Sequence, residues 1–248
     1  MNTYRLTIQY DGTRYAGWQR QGNTDDTVQA KLEAVLGKLC GHRIEIHGAG
    51  RTDAGVHALA QVASFRAALD EPPEAIRDYC NRYLPQDIAV TAVELAPERF
   101  HARLNARGKH YLYRLWTAPV PNVFERRYVT PWEGTLDLDA MRAAADKLTG
   151  THDFRAFCSN KRMKKSTVRT IDSIAITAHG GEVRFDFRGN GFLYNMVRIL
   201  VGTLVEIGAG ERAPESIDRA FETGDRQDAG RTMPPQGLAL AEVYYENN

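Results

Sequence analysis

The chain has 248 residues, 43% of them hydrophobic and 25% charged, with a formal net charge of +1. This composition is ordinary for a soluble globular protein of one large or two small domains, and the near-neutral total gives no sign of a uniformly basic polyanion binder. The first residues, MNTYRLTIQYDG, lack the apolar core of a secretory signal, and the most apolar stretch (192–210) is broken by Asn195 and Arg198, too short to span a membrane.

Residues 4–10, YRLTIQY, alternate Tyr4, Leu6, Ile8 and Tyr10 with polar neighbours, which predicts a strand with one buried face. A loop, DGTRYAGWQRQGNTDD, leads to a helix predicted to start near Asp26, whose carboxylate would cap it while Gln29 reaches back. The apolar stripe of that helix is Val28, Leu32, Val35, Leu36 and Leu39. RIEIHGAG and QVASFRA read as strands flanking a glycine-rich loop, PEAIRDYCNRYL as a helix opened by Pro73, and DIAVTAVELA as a strand. From KHYLYRLW the pattern restarts with a strand, then a helix, DLDAMRAAADKL, and a hairpin turning at Gly180–Gly181. A long apolar helix over 192–207, a short helix near 214–223 and a last strand, LALAEVYYE, complete the chain. This order predicts an α+β fold with largely antiparallel sheets, divided into an N-terminal domain, 1–106, and a C-terminal domain, 107–248.

Charge is segregated along the chain. From Arg99 to Trp116 there are five basic residues and two histidines without an acid; from Arg155 to Arg169 there are six basic residues without an acid. Six acids against three arginines between Glu211 and Asp228 offset them, the distribution of a protein with one basic face. A solvated loop explains NKRMKK by itself equally well. Cys40, Cys80 and Cys158 lie too far apart for a disulfide framework or a structural zinc site, which suits a reducing cytoplasm.

The stretch GAGRTDAGVHA (48–58) sets an acid among glycines. It fails as a dinucleotide fingerprint, since Asp53 takes the third glycine position, and as a P-loop, since Gly55 precedes Val56. A metal held by Asp53 and His57 would need more ligands than the loop offers. Two readings remain: an Asx turn, or a carboxylate displayed where the backbone can be approached closely, with Arg51 beside it to favour the ionised form or bind a phosphate. A second anomaly is Arg198, the only charge in LYNMVRILVGTLV. It must either snorkel to water or meet an anion, and Asp53 would be such an anion.

Together these residues resemble the tRNA pseudouridine synthase A family. The resemblance runs nearly end to end through YDGTRYAGWQRQ, TVQAKLEAVL, GRTDAGVHA, LPQDIAV, FHAR, KHYLYR, HDFRAF, TVRTI, GNGFLYNMVR and PPQGLALAEVYYE. Ala60, where many members have glycine, and Ile199, where a polar residue is frequent, are mild departures. The resemblance implies two α+β domains derived from a ferredoxin-like unit, their sheets merged across a basic cleft. It also implies a cytoplasmic homodimer that converts uridine to pseudouridine at positions 38, 39 and 40 of tRNA without cofactor or metal. It places the catalytic aspartate at Asp53, the active-site tyrosine at Tyr111 and two substrate-binding arginines at Arg51 and Arg198.

The reaction breaks the C1′–N1 glycosidic bond, turns the uracil and rejoins it through C5. A carboxylate suits this chemistry because it can trap or stabilise a cationic ribose, or remove the C2′ proton. In a site dry enough to retain the base it needs a cationic partner, and Arg198 is expected within salt-bridge distance of Asp53. Tyr111 is expected to stack on the uracil or take a proton. A non-catalytic RNA binder would explain the basic runs but not Asp53 beside Arg51. An enzyme acting on a free nucleoside would leave the basic runs without purpose.

Overall fold

The computed structural model describes residues 1–160, 163 and 165–245, so Lys161, Arg162 and Lys164 of the second basic run lie outside the described residues. In chain order the first elements are β1 (Asn2–Tyr10), α1 (Val28–Cys40), β2 (His47–Gly48), β3 (His57–Ala67), α2 (Pro73–Tyr83) and β4 (Ile88–Ala96). They are followed by β5 (Ala106–Trp116), β6 (Thr130–Pro131), α3 (Leu138–Leu148), β7 (Gly150–Asp153), β8 (Val168–His179) and β9 (Glu182–Gly189). The chain closes with α4 (Met196–Gly208), α5 (Ser216–Thr223) and β10 (Leu238–Tyr245). It divides into two compact units, Met1–Arg107 with the residues from Ala239 onward, and Gly108–Leu238. The last strand thus groups almost wholly with the first unit, a long-range return that nothing local in LALAEVYYE encodes.

In the first unit β1 lies between β3 and β4, antiparallel to both, and β10 joins β3 in parallel at Ala239–His57 and Leu240–Ala58. The alternation predicted for β1 holds: Tyr4, Leu6, Ile8 and Tyr10 are all buried. Helix α1 begins one residue later than the expected cap requires. Thr27, not Asp26, is its cap, accepting the Ala30 N–H at 3.3 Å, while Asp26 pairs with Lys31 at 2.9 Å. Gln29 does not reach back; it donates to the Glu33 carboxylate and to the Ile46 carbonyl. That contact explains a second difference. Within RIEIHGAG only His47–Gly48 is strand, because the polar groups of Ile46 bond side chains of α1, its N–H going to Glu33 at 3.2 Å. Cys80 is sealed against the core, and burial pushes its thiol up to about 12.

In the second unit β9 lies between β5 and β8, β7 extends β8, and these pairings are all antiparallel; β6 adds a short parallel pairing to β5. Gly180 (φ 59°) and Gly181 (φ 84°) both have the positive φ that a type I′ turn needs, and Val183, Phe185 and Phe187 face the core. The long apolar helix starts at Met196 rather than 192, because Asn195 takes a left-handed backbone (φ 60°, ψ 6°) that interrupts it. Every residue of α4 except Arg198 is buried. No helix among the described residues is long and apolar enough to cross a membrane.

Candidate active site

The glycine loop between β2 and β3 is locked by the segment that follows β1. Trp18 donates its backbone N–H to the Thr52 carbonyl at 3.0 Å, and the buried Tyr10 hydroxyl lies 2.7 Å from Thr52 Oγ1. Gln61 holds the Gly50 carbonyl at 3.0 Å, and the Gly12 N–H donates to His57 Nδ1 at 3.0 Å. Burial pushes the Tyr10 hydroxyl up to about 12, with Thr52 opposing it, so it stays protonated and serves as a fixed polar support.

The contacts are so close that side chains are excluded. A Cβ on Gly12 would lie 2.0 Å from the Val56 carbonyl oxygen, and one on Gly17 would lie 2.7 Å from the Thr52 oxygen. Gly17 also has φ 103°, which L side chains rarely adopt. Gly48 leaves room for the Trp18 indole, 2.5 Å from where a Cβ would sit. The supporting segment is itself anchored by Asp87. Its carboxylate accepts Arg14 Nε at 2.9 Å and the Tyr15 hydroxyl at 2.5 Å, and its carbonyl accepts the Asp11 N–H at 2.9 Å. Three separated stretches, YDGTRYAGW, GAGRTDAGVH and LPQD, are therefore one construction.

Within it Thr52 is buried, Asp53 half-buried and Arg51 exposed. The loop holds its middle residue rigidly and presents the acid at the edge of the core. Asp53 stands out in the sequence, whereas residues 11–26 read there as an ordinary connection, and the parts played by Gly12, Gly17 and Trp18 are missed. The signal available is the pair of glycines flanking the aromatic-rich segment, whose partner is some forty residues away.

The second unit holds Tyr111 and Arg198. As alternation requires, Tyr111, Tyr113 and Leu115 share the buried face of β5. The Tyr111 ring meets Phe192 edge-on at 5.1 Å. The Tyr113 hydroxyl is committed internally, to Thr130 Oγ1 at 2.6 Å and the Pro234 carbonyl at 2.9 Å. Burial raises its pKa, Thr130 and the charge of Arg198 opposing, which brings Arg198 into the surroundings of this strand. Arg198 donates from Nε to the Met233 carbonyl at 2.5 Å and from Nη1 to Asn195 Oδ1 at 2.9 Å, while Asn195 Nδ2 reaches Ser159 Oγ at 3.0 Å. Its guanidinium is thus oriented from two sides. Asp53 and Arg51 belong to the first unit, Tyr111 and Arg198 to the second.

Comparison with known proteins identifies the family of the chain. The family model described as tRNA pseudouridine synthase matches residues 6–105 and 144–246. The chain is 49% identical over 230 residues to the tRNA pseudouridine synthase A of Bacillus sp. (strain KSM-64), covering 93% of this chain and 94% of that protein. It is 44% identical over 245 residues to tRNA pseudouridine synthase A 2 of Bacillus anthracis, covering 99% and 100%. A chain from a Cbf5-Nop10-Gar1 complex aligns with a TM-score of 0.39 at 12% identity over 97% of this chain and 50% of that one, too remote to add weight. The protein belongs to the tRNA pseudouridine synthase A family, enzymes that isomerise uridine to pseudouridine in tRNA.

Proposed function

We propose that Asp53 is the reacting carboxylate and that the uridines converted are those at positions 38, 39 and 40 of the anticodon stem-loop. The observation that carries this reading is the half-buried display of one acid by a loop against which the segment after β1 packs so closely that side chains are excluded at Gly12 and Gly17. Both reactions open to the carboxylate, at cationic C1′ and at the C2′ proton, require it ionised. Arg198 is the cation proposed to keep it so, and its two-sided anchoring supports that role because an oriented guanidinium loses less entropy on pairing. Arg51, exposed beside Asp53, would enter the space of the flipped-out uridine or hold a neighbouring phosphate. The basic runs around 99–116 and 155–169 would follow the RNA backbone. The same reading makes the protein a cytoplasmic homodimer that needs neither cofactor nor metal.

Isomerisation exchanges the C5 hydrogen of uridine with water, so the purified protein is expected to release tritium from tRNA carrying [5-³H]uridine, with the new pseudouridines mapped to positions 38–40. Absence of release, or release from free uridine alone, would exclude the proposal.

Tyr111 lies on the buried face beside Phe192. Its hydroxyl is proposed to move a proton during rearrangement, so Tyr111→Phe should lower kcat by about 10²-fold or more while tRNA affinity holds. Full turnover in this variant would limit the ring to stacking.

Asn195 is proposed as the residue that positions Arg198. A left-handed backbone favours glycine, yet this site carries an amide that ties Arg198 to Ser159. Asn195→Gly keeps the backbone and removes only the amide. Its melting temperature is expected to match or exceed wild type while kcat falls about tenfold from the misplaced guanidinium. Unchanged kcat would show that the Asn195 amide is not needed to orient the arginine.

A further inference from the structure

Besides the aspartate loop, the first unit carries a basic cleft of about 510 Å³, lined by His42, Arg43, His47, Arg66, Arg99 and His101, against two acids, Glu45 and Glu98. It lies at the far end of β3. The loop joins β3 at His57, whereas the cleft is reached at Ser64, which pairs with His47. Seven residues at about 3.3 Å each place it roughly 23 Å along the strand from that end.

Its groups are prepared as donors. The rings of His47 and His101 stack at 4.8 Å and 20°. His101 Nδ1 accepts the backbone N–H groups of Arg103 (3.1 Å) and Leu104 (3.4 Å), which assigns the ring proton of the neutral form to Nε2. Burial and then the neighbouring His47 hold this imidazole below the usual range, so at neutral pH it is an uncharged N–H donor. Arg66 is oriented through Thr3 Oγ1 at 3.3 Å and the Glu98 carbonyl at 2.8 Å, and pairs with the Glu98 carboxylate at 3.6 Å. The exposed guanidinium groups of Arg43 and Arg99 make no ion pair among the described residues. Guanidinium groups without carboxylate partners beside a neutral N–H donor suit a tetrahedral oxyanion bearing one charge. No group of three His, Cys, Asp or Glu suited to a metal exists among the described residues.

We propose that this cleft binds a backbone phosphodiester of the tRNA substrate at a point remote from the reacting uridine. The inference rests on the reading of tRNA as substrate, and a polyanion long enough to reach both places is what that reading supplies. The cleft would contribute affinity and register without touching the chemistry.

The test is Arg43→Glu, a cleft residue outside both basic runs, compared with Arg77→Glu, which makes the same charge change on α2 away from the cleft. Fluorescence anisotropy with full-length tRNA is expected to show the cleft variant binding about tenfold more weakly, its slope of log Kd against log salt smaller by about 1, as for one lost phosphate contact. KM should rise in parallel, with kcat at saturating tRNA close to wild type. The α2 variant should bind like wild type. Unchanged affinity in the cleft variant, equal weakening in both variants, or a collapse of kcat would each overturn the proposal. A wild-type protein that binds tRNA but releases no tritium would defeat the functional reading instead and leave the affinity comparison valid.

Discussion

Gly12→Ala is expected to lower both stability and turnover, although the change adds a single methyl group. A Cβ at this position would stand 2.0 Å from the Val56 carbonyl oxygen, 2.6 Å from its carbon and 3.1 Å from its nitrogen, all backbone atoms that cannot rotate away. Either the 3₁₀ turn at Gly12–Arg14 or the strand entering at His57 must shift, and both are tied down, by Asp87 and by the β1 register. Overpacking of this kind costs about 3 kcal/mol, or roughly 6–12 °C of melting temperature in a chain of this size. The displaced loop carries Asp53, the proposed reacting carboxylate, and a shift near 1 Å in such a group costs about 10²-fold in kcat. Gly22→Ala is the matched control, since a Cβ there meets nothing within 4 Å. Calorimetry and tritium release on the two variants decide it: equal behaviour would mean that the close packing of Gly12 on Val56 does not hold the loop.

This dependence explains what was legible in the sequence. Periodicity announced β1, the β8–β9 hairpin and the buried face of β5 because each pattern is local and repeats within a few residues. It failed at RIEIH, where β-branched residues suggest a strand but Gln29 and Glu33 of α1 take the backbone groups of Ile46. It failed again at the start of α4, where apolar residues at 192–194 look helical but Asn195 turns left-handed. Asp53 stood out because an acid among glycines is chemically odd. Gly12, Gly17 and Trp18 did not, because their reason is a contact with residues 48–56 that only the folded chain creates. The short β7 and the return of β10 to the first unit are likewise tertiary facts.

Asp53→Asn carries the largest expected loss. The substitution keeps the shape and one acceptor oxygen while removing the negative charge, and the locking contacts of Trp18, Tyr10 and Gln61 are made to Thr52 and Gly50, so the loop should survive intact. An amide can neither stabilise a cationic C1′ nor take a proton from C2′, and loss of such a group typically costs about 10⁴-fold or more. Affinity for tRNA should persist, since phosphate contacts by arginine and lysine do not involve this carboxylate. A protein that only binds RNA would be indifferent to the change.

The decisive measurement is single-turnover tritium release from [5-³H]uridine tRNA, with enzyme in excess and tRNA binding recorded in the same samples. Wild-type protein should release tritium to water with no added cofactor, while Asp53→Asn should hold the tRNA equally well and release none above background. Release by the asparagine variant at even about a tenth of the wild-type rate, far above what loss of a reacting group allows, would contradict the assignment of the chemistry to this carboxylate.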